Sequence, residues 1–470
     1  MPAQMDVIRE KRRVQAMHDL GLRTVKLANV LLVTLPFIGC WIAYYSQRVV
    51  PAPPKMHNVV VTAMFVALYF WFGRVYDAFL VSLKRISEMV FSQALSVLMA
   101  DAFMFLVLWL MSGRFPNMAP ALLALAAQLL LSAAWCRIAH QWYFAHYAGQ
   151  RTGIVYDTRR GMEDLFGEYG LDKKFDIRFT CTVDECLQDS MQALDDLEIV
   201  FLCGVHSRER NIILKHCVEH DIIVYMIPRI GDVMMSGAKR MHMFHLPILR
   251  VDRYRPPIEF SVIKRAMDIA CSLVGIVISS PIMLCVALAI KAYDRGPVLY
   301  RQVRLTKDRR EFEVLKFRSM RTDAEKDGVA RLSTGENDDR ITPIGRFIRA
   351  CRLDELPQLF NILRGDMSLV GPRPERPEIA EQYEKEMPEF ALRLQAKAGL
   401  TGYAQVYGKY NTQPYDKLQM DLMYIANPSI LEDLRIIFAT IQVLFMKEST
   451  EGIGVGQRTA GDAGDEEKSA

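Results

Sequence analysis

The 22 residues IACSLVGIVISSPIMLCVALAI, Ile269–Ile290, decide how the rest of this chain must be arranged. A helix needs about 20 mostly apolar residues to cross the hydrocarbon core of a bilayer, and this run has them. Lys264, Arg265 and Asp268 stand before it; Lys291, Asp294 and Arg295 follow it. Ser280-Pro281 falls at its centre. Proline removes a backbone donor and clashes with the preceding turn, so a break or kink is expected there. A plain span would put the two flanks on opposite sides of a membrane. A helix–break–helix that enters and returns would leave both on one side, with Ser279 and Ser280 as partners for the freed backbone groups, since lipid offers none.

Four more apolar runs lie upstream: Val25–Tyr45, Val59–Phe72 (extending toward Val81), Leu95–Met111 and Met118–Cys136. Four such runs read as four spans, and the first starts too late and runs too long for a cleavable signal peptide. Arg9, Lys11, Arg12, Arg13 and Arg23 precede the first run. Arg74, Lys84 and Arg85 stand between the second and third, and Arg137 and Arg151 follow the fourth. The other two connections hold Arg48, Lys55 and Arg114. That bias places both ends of the bundle in the cytoplasm. The whole 470-residue chain carries a net charge of +4 with 51% hydrophobic residues, and its mean hydropathy is +0.08. A disordered chain is excluded, and a nucleic-acid partner held by overall positive charge is not expected. The nine cysteines are too sparse for a disulfide scaffold and contain no CxxC pair.

From Arg151 to Arg255 the pattern changes to short apolar runs alternating with helical stretches. Thr152–Tyr156, Asp176–Thr180, Leu197–Leu202 and Ile222–Ile227 read as strands of a small parallel α/β module. The first turn, Tyr156–Gly161, lacks the GxGxxG glycines that let backbone approach a pyrophosphate. The module therefore reads as structural or regulatory. His216 and His220 share a helix face, with His242 and His245 nearby in sequence. A third metal ligand of clear spacing is missing, so these read as ordinary surface histidines.

The distal third carries the densest signals. Lys316-Phe317-Arg318-Ser319-Met320 follows a predicted strand, and Asp339–Arg349 places Arg346 and Arg349 on one helical face. Asp354-Glu355 comes next. Two adjacent carboxylates among many cations are expected to be ionised at neutral pH. One could attack phosphorus while its neighbour holds a divalent metal. In Gly371-Pro372-Arg373-Pro374 the prolines hold Arg373 on a stiff extended stalk, suited to anchoring a phosphate or diphosphate.

At this point Gly296-Pro297-Val298, Lys316–Met320, Asp354–Pro374 (DELPQLFNILRGDMSLVGPRP) and Gly399–Gly408 (GLTGYAQVYG) closely resemble the bacterial sugar transferase family. Its members are polyprenyl-phosphate hexose-1-phosphate transferases, also called monotopic phosphoglycosyl transferases. The resemblance covers about Phe260–Lys447. The upstream layout is similar to the large subgroup that initiates exopolysaccharide synthesis, with four spans and a Rossmann-like, CoA-binding-type module. The resemblance implies that Asp354 attacks the β-phosphorus of a UDP-hexose and releases UMP. The phosphosugar then passes from Asp354 to undecaprenyl phosphate. It also implies that Glu355 holds Mg2+, that Lys316, Arg318, Arg349 and Arg373 serve the phosphates and nucleotide, and that Ser280-Pro281 breaks a re-entrant membrane helix. A nucleotide substrate is cytoplasmic, which favours the entering-and-returning arrangement of Ile269–Ile290. Three departures stand out: Leu305–Arg310 lacks the usual glycines, Ala398 replaces a common Pro, and Arg352 replaces a common Ser or Thr. Glu375–Glu378 and Gly408–Thr412 are expected to bear on sugar choice.

Ile430–Met446 reads as an amphipathic helix lying on the bilayer face, and Gly452–Ala470 as a disordered tail. The expected domains are thus a membrane α-helical bundle at 1–146, a Rossmann-like α/β module at 147–255, a mostly α-helical catalytic domain with the re-entrant helix at 256–450, and the tail at 451–470. The setting implied is the cytoplasmic face of a bacterial inner membrane. Symmetric dimers are the commonest assemblies, so a homodimer through the α/β module is the default expectation. The competing reading is a non-catalytic membrane scaffold or regulator of polysaccharide synthesis.

Overall fold

The computed structural model describes residues 2–49, 55–158, 161–188, 191–321, 340–408 and 412–444. The expected tail, Lys409–Asn411 and Asp339 lie outside them. The chain forms two compact units, Met1–Ile227 and Pro228–Ala470.

The first unit begins with four long helices. They are α1 (Pro2–Cys40, continued by a π-helical turn at Trp41–Tyr45), α2 (Lys55–Val75), α3 (Ile86–Ser112) and α4 (Ala119–His146). Each contains a stretch long and apolar enough to cross a membrane, and a fifth such helix lies in the second unit. Several polar side chains buried between these helices pair with each other or with backbone. Tyr69 Oη donates to Asn29 Oδ1 at 2.6 Å, and Gln93 Nε2 to the Ala78 carbonyl at 2.8 Å. Buried polar groups without water must find such partners.

The strands follow: β1 (Gln150–Tyr156), α5 (Met162–Tyr169), β2 (Phe175–Thr182), α6 (Val183–Gln188), β3 (Ile199–Cys203), α7 (Ser207–Glu219) and β4 (Ile223–Met226). They pair in the order β2-β1-β3-β4, all parallel. Alternate side chains serve opposite faces. Ile154 packs with Phe166 and Phe175, whereas Val155 packs with Leu202 and Ile213 on the other side. Burial of both faces explains why the two central strands, β1 and β3, read as continuous apolar runs.

The second unit starts earlier than the expected boundary at residue 255. Helix α8 (Ile230–Ser236) and the hairpin β5 (Lys239–Met243) and β6 (Leu246–Arg250) belong to it. The reason is packing. The segment docks on a later helix, where Gln419 Nε2 donates to the Pro228 carbonyl at 2.6 Å. At Gly237 an added Cβ would stand 2.5 Å from the Ala426 carbonyl oxygen.

Helix α9 spans Ile258–Asp294 without interruption. The expected break at Ser280-Pro281 is not an end of helix, and the local chemistry says why. Pro281 cannot donate to the Val277 carbonyl four residues back, but Ser280 Oγ does so at 2.9 Å. Ser279 Oγ likewise bonds the Gly275 carbonyl at 2.7 Å. Both ends of α9 are fastened to the same unit. Near its start, Lys264 Nζ pairs with Asp433 Oδ2 at 2.7 Å, and Arg265 donates to the Ile362 and Leu363 carbonyls at 2.6 and 2.7 Å. Asp268 accepts from Ser368 Oγ at 2.8 Å and from the Leu369 N–H at 3.0 Å. At the far end Asp294 pairs with Arg318, and Val286 and Ile290 pack on Phe317 and Ile348. Leu273, Val274, Val277, Ile278 and Leu288 remain exposed.

The remaining elements are β7 (Leu299–Leu305), β8 (Glu311–Phe317), α10 (Pro343–Ala350), α11 (Gln358–Arg364), β9 (Ser368–Val370), α12 (Pro377–Glu386), β10 (Gly399–Thr401), α13 (Tyr403–Tyr407), α14 (Pro414–Ala426) and α15 (Ile430–Leu444). β7 and β8 form an antiparallel hairpin, and β9 and β10 a short parallel pair. Between β7 and β8, where the usual glycines are missing, Asp308 and Arg309 adopt positive φ of 57° and 60°. Glycine enters that region without steric cost; these residues do not.

Candidate active site

Asp354 and Glu355 lie on a single 3-10 turn, Leu353–Glu355, between α10 and α11. Arg352 enters it with φ 55°, reversing the chain after α10. Thr342 caps the start of α10, its Oγ1 accepting from the Gly345 N–H at 2.9 Å. Any Cβ at Gly345 would stand 1.9 Å from the Ser319 carbonyl oxygen, so glycine lets α10 close on the Lys316–Met320 segment. Asn361 then locks α11 to β8. Its Oδ1 accepts from the Leu315 N–H at 2.9 Å and its Nδ2 donates to the Glu313 carbonyl at 2.7 Å. Lys316, next along β8, is thereby set beside the carboxylate turn.

The cations converge on Glu355. Lys316 Nζ lies 3.0 Å and Arg373 Nη2 3.1 Å from its Oε1, while Arg352 Nη1 is 4.0 Å from its Oε2. Burial opposes the charge on Glu355, but Lys316, Arg373 and Arg352 outweigh it and hold the carboxyl well below its usual range. Asp354 departs from the expectation that both acids titrate low. Burial, then the charge of Glu355, push its carboxyl upward, against the pull of Lys316, Arg349 and Arg352. The cations are shared unequally, and Glu355 takes the close contacts. Among the described residues Asp354 makes no hydrogen bond or ion pair, nor does the Arg349 side chain.

Arg373 is positioned by its backbone. The Arg373 carbonyl accepts from Arg393 Nη2 at 2.9 Å and the Pro374 carbonyl from Arg304 Nη1 at 3.0 Å. Gly371 abuts β10 so closely that a Cβ there would stand 2.3 Å from the Lys397 carbonyl oxygen, which is why GPRP and GLTG both need glycine. A shallow recess open to solvent adjoins this segment, lined by Arg373, Glu375, Phe390 and Arg393 among others.

The structure thus brings Asp354, Glu355, Lys316, Arg349 and Arg373 into one electrostatic cluster. It does not add Arg318. That side chain is 6% exposed and turns to Asp294 at the end of α9, because β8 ends at Phe317 and the chain leaves the strand's alternation there. Ser280 and Pro281 sit in mid-α9. Residues missed in the sequence are Asn361, Arg393, Arg265 and Asp268, which hold the cluster's backbone in place; Arg352 stood out only as an unusual neighbour of the acids. For a hard divalent cation the donor type fits. Glu355 Oε2 lies 4.0 Å from Arg352 Nη1, and such ions take one or two carboxylates with phosphate and water oxygens.

Residues 259–447 match the family described as bacterial sugar transferase. The chain is 38% identical over 234 residues to the UDP-N-acetylgalactosamine-undecaprenyl-phosphate N-acetylgalactosaminephosphotransferase of Aeromonas hydrophila, covering 49% of this chain and 54% of that protein. It is 42% identical over 234 residues to the UDP-glucose:undecaprenyl-phosphate glucose-1-phosphate transferase of Klebsiella pneumoniae, covering 49% and 48%. In both cases the match spans about half the relative's length. With the exopolysaccharide production protein PSS of Rhizobium leguminosarum bv. phaseoli the identity is 43% over 204 residues, 41% of this chain but 98% of the relative. With nearly the whole of that relative matched at this identity, the chain belongs to the bacterial sugar transferase family.

Proposed function

We propose that this protein transfers hexose 1-phosphate from a UDP-hexose to undecaprenyl phosphate, the first step in building a polysaccharide repeat unit. Asp354 is the nucleophile. A carboxylate oxygen forms a bond to the β-phosphorus as the bond from that phosphorus to the bridging oxygen breaks, and UMP leaves with the electron pair. The phosphate of undecaprenyl phosphate then attacks the same phosphorus, Asp354 departs as carboxylate, and undecaprenyl-diphospho-hexose is released. Lys316, Arg349 and Arg373 offset the charge of the diphosphate and of the phosphoryl group in transfer. Glu355 would hold Mg2+ with donor phosphate oxygens; when bound, the ion withdraws charge from the diphosphate.

The observation that carries this reading is a half-buried carboxylate without a hydrogen-bond partner among the described residues, one residue from a second carboxylate ringed by cations. The names of the relatives supply the acceptor class and both glucose and N-acetylgalactosamine as donor sugars. We place α9 as re-entrant, with the second unit on the cytoplasmic face of the inner membrane. Support comes from both ends of α9 being bonded to that one unit while its outer face is apolar and exposed.

The test is nucleotide release from a panel of UDP-sugars by purified protein with undecaprenyl phosphate and Mg2+. UMP is expected, and Asp354→Asn should eliminate it. UDP as the product would mean glycosyl transfer without phosphate, and wild-type turnover in Asp354→Asn would remove the nucleophile assignment.

A further inference from the structure

The parallel sheet of the first unit brings Asp195 to two histidines, His216 and His220, that lie about twenty residues further along the chain. Asp195 follows the 3-10 turn Gln192–Leu194, His216 lies in the last turn of α7, and His220 comes just after that helix ends. One ligand atom from each lies within 4.8 Å of the others. His216 Nε2 is 2.9 Å from Asp195 Oδ1, and His220 Nε2 is 3.8 Å from the same oxygen. In a tetrahedral zinc site with bonds near 2.0–2.1 Å, neighbouring ligand atoms stand about 3.4 Å apart. The two observed separations straddle that value.

The hydrogen bonding prepares the ligand atoms. His220 Nδ1 is 2.9 Å from the His216 carbonyl oxygen. A carbonyl can only accept, so Nδ1 carries the proton and, in the neutral ring, Nε2 presents its lone pair toward Asp195. A backbone carbonyl that accepts from the non-ligating ring N–H is a usual outer partner of a metal-bound histidine. The two imidazoles stack with centroids 4.1 Å apart, which holds both rings to one side. His216 needs only the other tautomer, its proton moving from Nε2 to Nδ1, to become the second nitrogen ligand. The negative end of α7 adds a favourable field for a cation. His216 and His220 are 15% and 24% exposed, sheltered but reachable from solvent.

We propose that Asp195, His216 and His220 form a binding site for a divalent transition metal of the Zn2+ class, with a fourth position open to solvent or to an outside donor. Imidazole and carboxylate are the donors such ions take. The site acts as a staple. Asp195 lies just ahead of β3 and His220 just ahead of β4, whose first residues pair as Ile199↔Ile223. An ion here ties the entry of the edge strand to the entry of its neighbour. His242 and His245 belong to the β5–β6 hairpin of the second unit and are not members of the cluster.

The experiment uses the full chain in detergent, with any purification tag removed, stripped by chelator and dialysed against Zn2+. One equivalent of bound Zn2+ above a chelator control is expected, and Co2+ in its place should show the visible absorption of a low-symmetry, nitrogen–oxygen site. His220→Ala and Asp195→Asn should each weaken uptake by about 100-fold or more, given that even outer partners of a ligand contribute about 10–100-fold. The pair His242→Ala and His245→Ala should bind as the wild type does. His220→Gln, which keeps a polar side chain of similar reach, guards against loss through misfolding; it should elute as wild type and still lack the Co2+ spectrum. No uptake by wild-type protein, or equal uptake by His220→Gln and Asp195→Asn, would overturn the proposal.

Discussion

Lys316 Nζ lies 3.0 Å from Glu355 Oε1, and this contact joins the end of β8 to the carboxylate turn. Both side chains are partly sheltered, at 21% and 14% exposure, so the pair is screened less than a surface one. Replacing Lys316 by Met leaves Arg373 and Arg352 to hold the Glu355 charge and removes a cation from the proposed phosphate site. UMP release should fall by about 100-fold, the scale of losing one stabilising donor to developing charge. Thermal unfolding should shift only slightly, because two cations remain. Comparable losses of stability and of rate would instead make Lys316 a purely structural residue.

The two carboxyls titrate with opposite signs. Asp354 is raised, by burial first and then by Glu355, so the folded protein holds that proton more tightly than the unfolded chain. As pH rises through the interval above the ordinary value of 3.8, the fold loses the stability tied to that proton while the proposed nucleophile gains its charge. Glu355 is lowered; its contribution is complete above the ordinary 4.5 and disappears only as pH falls through its depressed folded value. Single-turnover UMP release should therefore have an acid limb above the ordinary aspartate range. Arg349→Gln deletes a neighbour that pulls Asp354 down and should move the limb to higher pH, whatever it does to the maximum. A limb that stays put or moves down would separate it from Asp354.

Arg393 and Asp421 form a buried pair at 2.7 Å, with side chains 6% and 2% exposed. Burial raises the Asp421 carboxyl and Arg393 opposes that rise. Arg393→Met should cost about 3–5 kcal/mol, since it strands a buried charge. Adding Asp421→Leu should restore most of it, which denaturant unfolding in detergent can measure. The double variant still lacks the donor to the Arg373 carbonyl. Its KM for the UDP-sugar should remain raised after stability has recovered, because the Arg373 segment is no longer clamped.

How far the sequence could be read depended on whether a residue's partner was local. Asp354-Glu355 and Gly371–Pro374 announced themselves because acids, glycine and flanking prolines are contiguous. Lys316 and Arg318 looked equivalent two residues apart, and only the end of β8 at Phe317 separates their fates. Lys264, Arg265 and Asp268 read as the charged rim of an apolar run, yet they bond Asp433, two helix-terminal carbonyls and a strand N–H far along the chain. Ser279 and Ser280 were legible as partners for the backbone groups freed at Pro281; that the Ser280 bond to the Val277 carbonyl accompanies an unbroken helix was not. Asp195 was invisible beside His216 because the two meet only through the pairing of β3 with β4. The boundary at 255 failed to show that residues 228–250 have their packing partners in the second unit.

Helix α9 offers the sharpest topological prediction. At about 1.5 Å per residue its 37 residues would measure roughly 55 Å if straight, longer than a bilayer with its headgroups at about 40–45 Å. Length alone would therefore permit a full span. The bonding does not favour one: Lys264, Arg265 and Asp268 near one end and Asp294 at the other all contact the same compact unit, whose charged surface would be costly to bury in lipid. In a background without native cysteines, single cysteines at Ser261 and Gln302 should both react with a membrane-impermeant thiol reagent in inside-out vesicles, and neither in spheroplasts. Ser280→Ala should leave the Val277 carbonyl unpaired in apolar surroundings, at about 1–3 kcal/mol, and lower the yield of folded protein without exchanging the two labelling patterns. Opposite-side labelling of the two positions would make α9 a full span and would separate the second unit's two ends across the membrane.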